Sequence, residues 1–501
     1  MRPVETLLLL SLLLFAFSLF FPARSRSRWF SLLPSTSLSL AFIHIILEGH
    51  RWQLIPLYAY TVLVFAFTVK NLRLAIHSSH KPISKGRPRQ RVTRGALNLL
   101  LLVLLSLPPL LVPVFKLPMP TGPYDVGVRY DYFIDKNLSE PLSSDPAGFQ
   151  EISVQVRYPA EISKDDTPIK YWEKAGQKSR IISKFWGGLP SFLFNHFSLI
   201  PTHSYLNAAL SKAEQDFPVL IFNHGSLGLP SLNTVLTEEL ASHGFIVFSI
   251  GHADSIPFFV RPDGGIRAFD PDNEDLQMRI RENDDPEVRE IADRLMQSRD
   301  GEAQETLLRQ FLAKNPRNQQ SLFRWVRDIS STLDEMERLN TESGFFSGKL
   351  DLDRIGVFGV SFGGAASTQA CVQEKRCKAA ISIDCPQFGD FLDRDVSQPI
   401  VFMSSEQYKG MNDIFLKIKE NPLYSVMIKN TTHQNLSDIS IWGKLFKMQM
   451  LGKIDGERCL NIQNRYILAF FEKYLKGIDD GFLDGPSPEY PEVEFMMKNI
   501  D

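Results

Sequence analysis

The 501-residue sequence predicts an α/β fold, with a mainly parallel central sheet flanked by helices, preceded by a bundle of about four transmembrane helices. Short runs rich in β-branched residues recur after residue 150, and helical stretches separate most of them, as in a parallel sheet. Four apolar segments of near-bilayer length predict the membrane region. The predicted strands are residues 152–158, 219–222, 245–250, 355–358, 379–383, 400–403 and 424–428. The predicted spans are residues 5–22, 30–47, 54–69 and 96–115.

The first 116 residues are therefore interpreted as a membrane region, and residues 117–501 as one large α/β domain. Segment 30–47 has the weakest membrane character, because it holds Pro34 and several hydroxyl side chains, and lying in the membrane interface is the alternative. Segment 5–22 has no clear cleavage site with small residues. The sequence therefore favours an anchor over a removed signal peptide.

Basic residues predict how the spans are oriented. The connection 70–95 carries eight Lys or Arg and no acid, and the first connection contains Arg24, Arg26 and Arg28. Cytoplasmic connections are enriched in such residues, so four spans would place residues 117–501 on the non-cytoplasmic side. This predicts an integral membrane protein, provided that segment 30–47 crosses the bilayer. Nucleic acid is not expected as a partner, because the basic loop is short and lies between spans.

The run Gly359-Val360-Ser361-Phe362-Gly363 follows an apolar strand pattern. This spacing is typical of a sharp turn from a strand into a helix, with the serine exposed at its apex. Small residues two positions before and after the serine suit the crowding of such a turn. The motif predicts an α/β-hydrolase fold with Ser361 as its nucleophile.

In that fold the acid and the base follow the serine along the chain. His433 is the only histidine after Ser361, so it has to be the base. Asp384 comes at the carboxyl end of a predicted strand, where catalytic groups gather in open α/β sheets. Glu406 follows the next predicted strand and is its competitor on position alone. Weaker candidates lie in the loop after Pro386, namely Asp390, Asp393 and Asp395.

Several segments together resemble the secreted platelet-activating-factor acetylhydrolase family, also called lipoprotein-associated phospholipase A2. The resemblance covers residues 117–495 and implies Ser361 as nucleophile, Asp384 as acid and His433 as base, which decides against Glu406. Many relatives carry histidine just before the nucleophile, where this chain has Val360. The segments are Ser361-Phe-Gly-Gly, Ile383-Asp384, His433-Gln-Asn, Leu117-Pro-Met-Pro-Thr-Gly-Pro-Tyr124, Val154-Gln-Val-Arg-Tyr158-Pro159, Phe222-Asn-His224-Gly225 and Leu240-Ala-Ser-His-Gly244.

An acyl-transfer site also needs donors for the oxyanion of its tetrahedral intermediate. The backbone amide of Phe362, directly after the nucleophile, is one expected donor. The family pattern implies the amide of Ser226 as the second donor, with Leu227 in reserve. His224 is interpreted as a structural hydrogen-bonding residue rather than a second base.

The resemblance implies a calcium-independent esterase, without a cofactor or metal, that removes short or oxidised sn-2 acyl chains from phospholipids. A general carboxylesterase of the dienelactone-hydrolase or polyester-cleaving type is one alternative, and a non-catalytic membrane scaffold is another. Aromatic residues near the start of the domain are expected either to rim a mouth that accepts lipid or simply to pack. These residues are Phe185, Trp186, Phe192, Phe194 and Phe197.

Two further features of the sequence are a helical insertion and a pair of cysteines. Residues 261–341 form a charged, largely helical insertion, whose last helix carries an apolar stripe expected to belong to the core. Cys371 and Cys377 are close enough along the chain to form a disulfide outside the cytoplasm, and free thiols are the alternative.

Overall fold

A computed structural model describes residues 1–22, 28–77, 88–135, 150–186, 188–253, 255–443 and 449–498. These residues form two compact units. The first comprises Met1–Lys116 together with Trp172–Ser179 and Pro190–Ile200, and the second comprises the rest of the chain. The domain boundary at residue 116 stays a prediction. Some of the basic residues on which the predicted orientation rests lie outside the described residues. They are Arg24, Arg26, Lys81, Lys85 and Arg87.

Four helices make up the N-terminal part of the first unit, namely α1 (Pro3–Ser18), α2 (Arg28–Leu47), α3 (Ile55–His77) and α4 (Pro88–Leu111). Among the described residues, three stretches are long and apolar enough to cross a membrane: Trp29–Leu47, Trp52–Leu74 and Pro88–Leu111. Helix α1 is also apolar, but it has only 16 residues. Crossing by α1, and with it the predicted orientation, stays a prediction.

A buried ionic network joins the ends of these helices. The guanidinium of Arg51 donates to both carboxylate oxygens of Glu5, at 2.9 and 2.8 Å, and to the carbonyl of Val112 at 2.8 Å. The side chains of Glu5 and Arg51 are fully buried. Glu5, His44 and Glu48 bring possible metal ligands within 4.8 Å of one another. Because Arg51 already neutralises Glu5, the cluster is suited to ion pairing rather than to holding a cation.

The second unit contains one large mixed sheet. Its strand order is β14-β13-β12-β11-β10-β6-β7-β2-β1-β4-β3, with β5 paired to β2, while β8 and β9 form a separate pair. The strands are β1 (Asp125–Asp135), β2 (Gln150–Glu161), β3 (Pro168–Lys170), β4 (Pro201–Leu206), β5 (Ala209–Leu210), β6 (Phe217–Asn223), β7 (Ile246–Gly251), β8 (Phe258–Val260), β9 (Ile266–Ala268), β10 (Leu350–Val360), β11 (Cys377–Ile383), β12 (Ile400–Ser405), β13 (Leu423–Ile428) and β14 (Val493–Lys498).

The middle of the sheet is parallel from β7 through β6, β10, β11 and β12 to β13. Antiparallel pairs, β2 with β7 and β13 with β14, flank this parallel part. Six of the seven strands expected from the sequence lie within observed strands, and the seventh, residues 245–250, starts one residue before β7. The order and the flanking helices are those of an α/β-hydrolase fold, which confirms the predicted fold class.

The helices after α4 are α5 (Ala175–Phe185), α6 (Thr234–Ser242), α7 (Glu274–Asp284), α8 (Pro286–Gln297), α9 (Gly301–Ala313), α10 (Pro316–Thr341), α11 (Phe362–Gln373), α12 (Asp413–Ile418), α13 (Ile439–Trp442) and α14 (Gly456–Phe471). Helices α7 to α10 form the predicted insertion. The apolar stripe of α10 is buried, including Leu322, Trp325 and Ile329 at 0% exposure, so it belongs to the core as expected. Apolar side chains repeating every three to four residues explain that burial.

A disulfide joins Cys371, near the end of α11, to Cys377 at the start of β11. It closes the short connection between the helix that follows Ser361 and the strand that leads to Asp384. Cys385 and Cys459 are buried free thiols. Of the two alternatives left by the sequence for Cys371 and Cys377, the structure has the bridge.

Candidate active site

Ser361 occupies the turn between strand β10 and helix α11. Its backbone is left-handed, with φ +56°, a conformation that a non-glycine residue adopts at a cost of about 1–3 kcal/mol. The turn is tightly packed, because a Cβ added to Gly363 would lie 2.3 Å from the carbonyl oxygen of Asn223. Glycine is therefore required two residues after the serine, as the motif indicated.

Asp384 and His433 are brought together from the ends of strands β11 and β13. Asp384 Oδ2 lies 2.8 Å from His433 Nδ1. The buried carboxylate also accepts hydrogen bonds from the backbone N–H of Ser405 at 2.6 Å and from its hydroxyl at 3.0 Å. These bonds hold the carboxylate so that it faces the imidazole.

The competing carboxylates make other contacts. Glu406 accepts a hydrogen bond from the backbone N–H of Asn430 at 2.7 Å, so it supports the loop that carries His433. Asp390 lies 2.7 Å from Arg394, whose hydrogen bond lowers the pKa of that carboxyl. Arg309 does the same for Asp393. Asp395 is exposed.

Ser361 and His433 line the same cavity, which has a volume of about 500 Å³. Most of its wall is apolar, and the polar side chains in it come mainly from the loops that bear the two residues. The other lining residues are Trp186, Leu189, Gly225, Ser226, Leu227, Gly228, Leu229, Leu232, Asn233, Val360, Gln434, Ser437, Ile439, Trp442 and Met450. The cavity can therefore hold a molecule with an apolar part beside the serine hydroxyl.

The loop after β6 passes close to the serine, since a Cβ added to Gly225 would lie 3.0 Å from Ser361 Cβ. Within the described part of the chain, the backbone N–H of Ser226 makes no hydrogen bond. The N–H of Leu227 instead donates to the carbonyl of Ser255 at 3.0 Å. Of the two residues considered for the second oxyanion donor, Ser226 has the available amide and Leu227 does not.

His224 is engaged at both ring nitrogens. Its Nε2 accepts a hydrogen bond from the backbone N–H of His252 at 3.2 Å. Nδ1 therefore carries the proton and donates it to the carbonyl of Gly225 at 2.6 Å. These contacts suit a residue that shapes the loop beside Ser361, rather than a second base.

The aromatic segment before β4 does not act as one surface. Phe194 and Phe197 are 1% and 0% exposed and pack against Trp172 within the first unit, so of the two alternatives these rings follow the packing one. Trp186 does line the cavity. The hydrophobic effect buries large rings wherever a core forms, and the sequence does not tell which ring faces a cavity.

Asp438 lies between the cavity-lining residues Ser437 and Ile439, and the sequence does not reveal its supporting role. Its carboxylate accepts hydrogen bonds from the backbone N–H groups of Thr234 and Val235, at 2.9 and 3.3 Å, at the start of α6. It thereby joins the loop after His433 to the helix behind the cavity wall. Burial raises the pKa of Asp438 to about 8, against the two backbone donors, which lower it.

Most of the chain is similar to known proteins. Residues 112–485 match the family described as platelet-activating factor acetylhydrolase, isoform II. The chain is similar to the platelet-activating factor acetylhydrolase of Cavia porcellus, with 27% identity over 60% of this chain and 66% of the relative, just under two thirds. It is also similar to the one of Bos taurus, with 26% identity over 72% of this chain and 77% of the relative.

A solved structure shares the fold. The ferulic acid esterase from Streptomyces cinnamoneus superposes with a TM-score of 0.59 at 21% identity, covering 77% of this chain and all of the esterase. At that identity the likeness shows the fold alone.

Proposed function

The chain belongs to the platelet-activating factor acetylhydrolase, isoform II family, and we propose that it is a membrane-anchored serine esterase. Its proposed reaction is hydrolysis of the short or oxidised sn-2 acyl ester of phospholipids that resemble platelet-activating factor. The observation that carries the proposal is a single cavity lined by both Ser361 and His433, with Asp384 on the far side of the imidazole.

In the proposed mechanism, Ser361 Oγ attacks the ester carbonyl while His433 Nε2 takes the hydroxyl proton. Asp384, bonded to Nδ1, orients the imidazole and stabilises the imidazolium that forms. When the tetrahedral intermediate collapses, the ester C–O bond breaks and His433 returns the proton to the leaving alkoxide. Water then attacks the acyl-enzyme by the same route and releases the fatty acid.

Two backbone amides would stabilise the oxyanion, those of Phe362 and Ser226. Phe362 begins α11, where the N–H groups of the first turn lack helical partners. The Ser226 amide is available beside Ser361, whereas the Leu227 amide is occupied by Ser255. Such donors are preorganised, and losing one typically costs on the order of 100-fold in rate.

The chain supplies the nucleophile, the base and the oxyanion donors, so the proposed reaction needs no calcium and no cofactor. The three apolar N-terminal helices support membrane attachment. The Cys371–Cys377 disulfide suits an oxidising compartment, which supports a catalytic domain on the non-cytoplasmic side.

The test uses the full chain in detergent micelles with 1-alkyl-2-acetyl-glycerophosphocholine. Release of acetate is expected in the presence of EDTA and is expected to vanish in Ser361→Ala. Unchanged release in Ser361→Ala would overturn the proposed nucleophile.

The same preparation separates the alternatives. Turnover of soluble aryl esters without any turnover of the phospholipid would indicate a general carboxylesterase. If an organophosphorus probe fails to label the chain, and no ester is hydrolysed, the non-catalytic scaffold is the better description.

A further inference from the structure

Arg279 is a buried cation on helix α7 of the insertion, only 2% exposed. Its Nη2 atom donates to the hydroxyl of Ser226 at 3.2 Å and to the hydroxyl of Ser255 at 2.7 Å. Its Nη1 atom donates to the hydroxyl of Ser321, on α10, at 2.5 Å. The guanidinium thus connects two helices of the insertion to the loop beside the nucleophile.

The same guanidinium contacts the other proposed oxyanion residue. Arg279 Cζ lies 5.6 Å from the centre of the Phe362 ring. That ring packs edge-on against Trp325 of α10, with centroids 4.9 Å apart. One side chain from the insertion therefore touches both residues whose backbone amides are proposed to bind the oxyanion.

We propose that Arg279 is a positioning residue of the oxyanion hole, an inference that rests on the proposed esterase function. It acts through Ser226 and Phe362, without touching the substrate. By holding both side chains it orients the two backbone amides before the substrate arrives. The helical insertion then has a role in catalysis as well as in packing.

The loop needs such support because its own sequence is permissive. Ser226 is followed by Leu227, at φ +58°, and both lie between Gly225 and Gly228. Glycine loses much conformational freedom when a loop is ordered, so a loop flanked by glycine orders only where outside contacts hold it. The Ser255 carbonyl holds the Leu227 amide, and Arg279 holds the hydroxyls of Ser226 and Ser255.

An arginine suits this task better than a lysine. Its planar fork presents several donors in fixed directions, so it can bond three hydroxyls while its face lies near an aromatic ring. A lysine ammonium keeps the charge but loses that geometry. Arg279→Lys is therefore expected to restore only part of what Arg279→Met removes.

The readout is binding of a short-chain alkyl trifluoromethyl ketone by the full chain in detergent. Ser361 Oγ adds to the ketone carbon, the carbonyl π electrons move to oxygen, and His433 takes the serine proton. The adduct is a tetrahedral oxyanion, so its affinity reports the oxyanion hole. The matching trifluoromethyl alcohol has no carbonyl, and its binding reports the cavity alone.

Arg279→Met is expected to weaken ketone binding and to lower kcat on a soluble aryl ester, both by about 10- to 100-fold. KM and alcohol binding are expected to change less than about twofold, because ground-state contacts persist. Ser226→Ala keeps the backbone amide but removes the hydroxyl, so a smaller loss is expected. The double variant should lose less than the product of the two single losses, since the residues act through one contact.

Arg324→Met is the matched control. Arg324, on α10, donates at 2.5 Å to Asp275, which lies on α7 together with Arg279. It removes a cross-link within the insertion and should leave ketone affinity and kcat near wild type. If Arg279→Met fails to fold, Arg279→Lys and Ser226→Ala carry the test.

Ketone binding that stays at wild-type strength in Arg279→Lys, Arg279→Met and Ser226→Ala would overturn the inference. The proposed function would still stand in that case if the wild-type chain hydrolyses ester and Ser361→Ala does not. Equal losses in Arg279→Met and Arg324→Met, with matching falls in melting temperature, would show a merely structural role. A wild-type chain that neither turns over ester nor binds the ketone would overturn both proposals.

Discussion

The indole rings of Trp186 and Trp442 stack with centroids 6.3 Å apart and ring planes 19° from parallel, in the wall of the cavity that holds Ser361. Trp442 is fully buried, whereas Trp186 is half-buried. Under the proposed function, the pair is expected to limit how far an acyl chain can extend from the serine in this direction.

Replacing the half-buried partner should widen the cavity. Trp186→Ala is expected to raise the ratio of octanoyl to acetyl p-nitrophenyl ester turnover by about 10-fold, because each buried methylene contributes to discrimination. Phe185→Ala is the matched control, since this neighbouring ring does not line the cavity as the structure describes it. A ratio that rises equally in both variants, or in neither, would contradict this role of Trp186.

The two carboxylates after β11 and β12 should differ sharply when neutralised. Asp384→Asn is expected to lower kcat by about 10³- to 10⁴-fold, because an amide no longer stabilises the imidazolium. Glu406→Gln keeps an acceptor for the Asn430 amide, so a change below about 10-fold is expected. Single-turnover acylation by an aryl ester measures both. Comparable losses would mean that Asp384 is not the acid.

Asp438 should make stability depend on pH. Because burial raises its pKa from an ordinary value of 3.8 to about 8, the folded state holds its proton where the unfolded chain has lost it. The contribution of this group is therefore full below about pH 3.8 and is lost as pH rises towards 8.

Between pH 5 and pH 8 the melting temperature of the wild type is expected to fall more steeply than that of Asp438→Asn, by on the order of 5 °C. Asp165→Asn, at an exposed site, is the control for an added amide. Parallel melting curves for wild type and Asp438→Asn across this range would rule out the effect.

The buried ion pair between Glu5 and Arg51 in the first unit gives a further prediction. Arg51→Met removes the bidentate partner of the buried Glu5 carboxylate, which stays paired with Arg2 at 2.9 Å, so the chain is expected to lose about 1.5–3 kcal/mol of stability. The double variant Glu5→Gln, Arg51→Met should recover part of that loss. Thermal unfolding in detergent measures both, and Arg89→Met, exposed on α4, is the control. A double variant less stable than Arg51→Met would refute this coupling.

Truncation should expose aromatic surface. Phe197 packs against Phe115 at 5.4 Å, and Phe192 against Trp52 at 5.0 Å, all within the first unit. A chain starting at residue 117 loses Trp52 and Phe115, so it is expected to aggregate in the absence of detergent. Size-exclusion chromatography measures this, and the additional changes Phe192→Ser and Phe197→Ser should reduce the aggregation. A monodisperse truncated chain would contradict the expectation.

Much of the fold follows from local pattern. The buried strands of the parallel part are short apolar runs between helices, and such runs are readable in a single sequence. Strand β1, residues Asp125–Asp135, is not predicted by the sequence pattern, because Gly127, Arg129 and Asp131 interrupt its apolar residues. Its identity depends on antiparallel pairing with β2, which is a tertiary contact. Strand β14 also depends on a tertiary contact, since it pairs only with β13 within the described sheet.

The site residues can also be predicted only as far as local sequence patterns reach. The motif at Ser361 and the lone downstream histidine led to side chains that the structure gathers around one cavity. Nothing in the sequence separates Arg279 from Arg281, two residues away on the same charged helix. Only the packing of α7 against α10 decides which of the two is buried. Asp438 was missed for the same reason, because its partners are two hundred residues away.

Helices α7 to α10 and the turn at Gly225–Gly228 meet through Arg279, although about fifty residues separate them along the chain. A chimaera that exchanged the helical region with a relative would bring in a foreign side chain beneath the native turn. When members of this family are recombined, helices α7 to α10 and the turn at Gly225–Gly228 should therefore be transferred together.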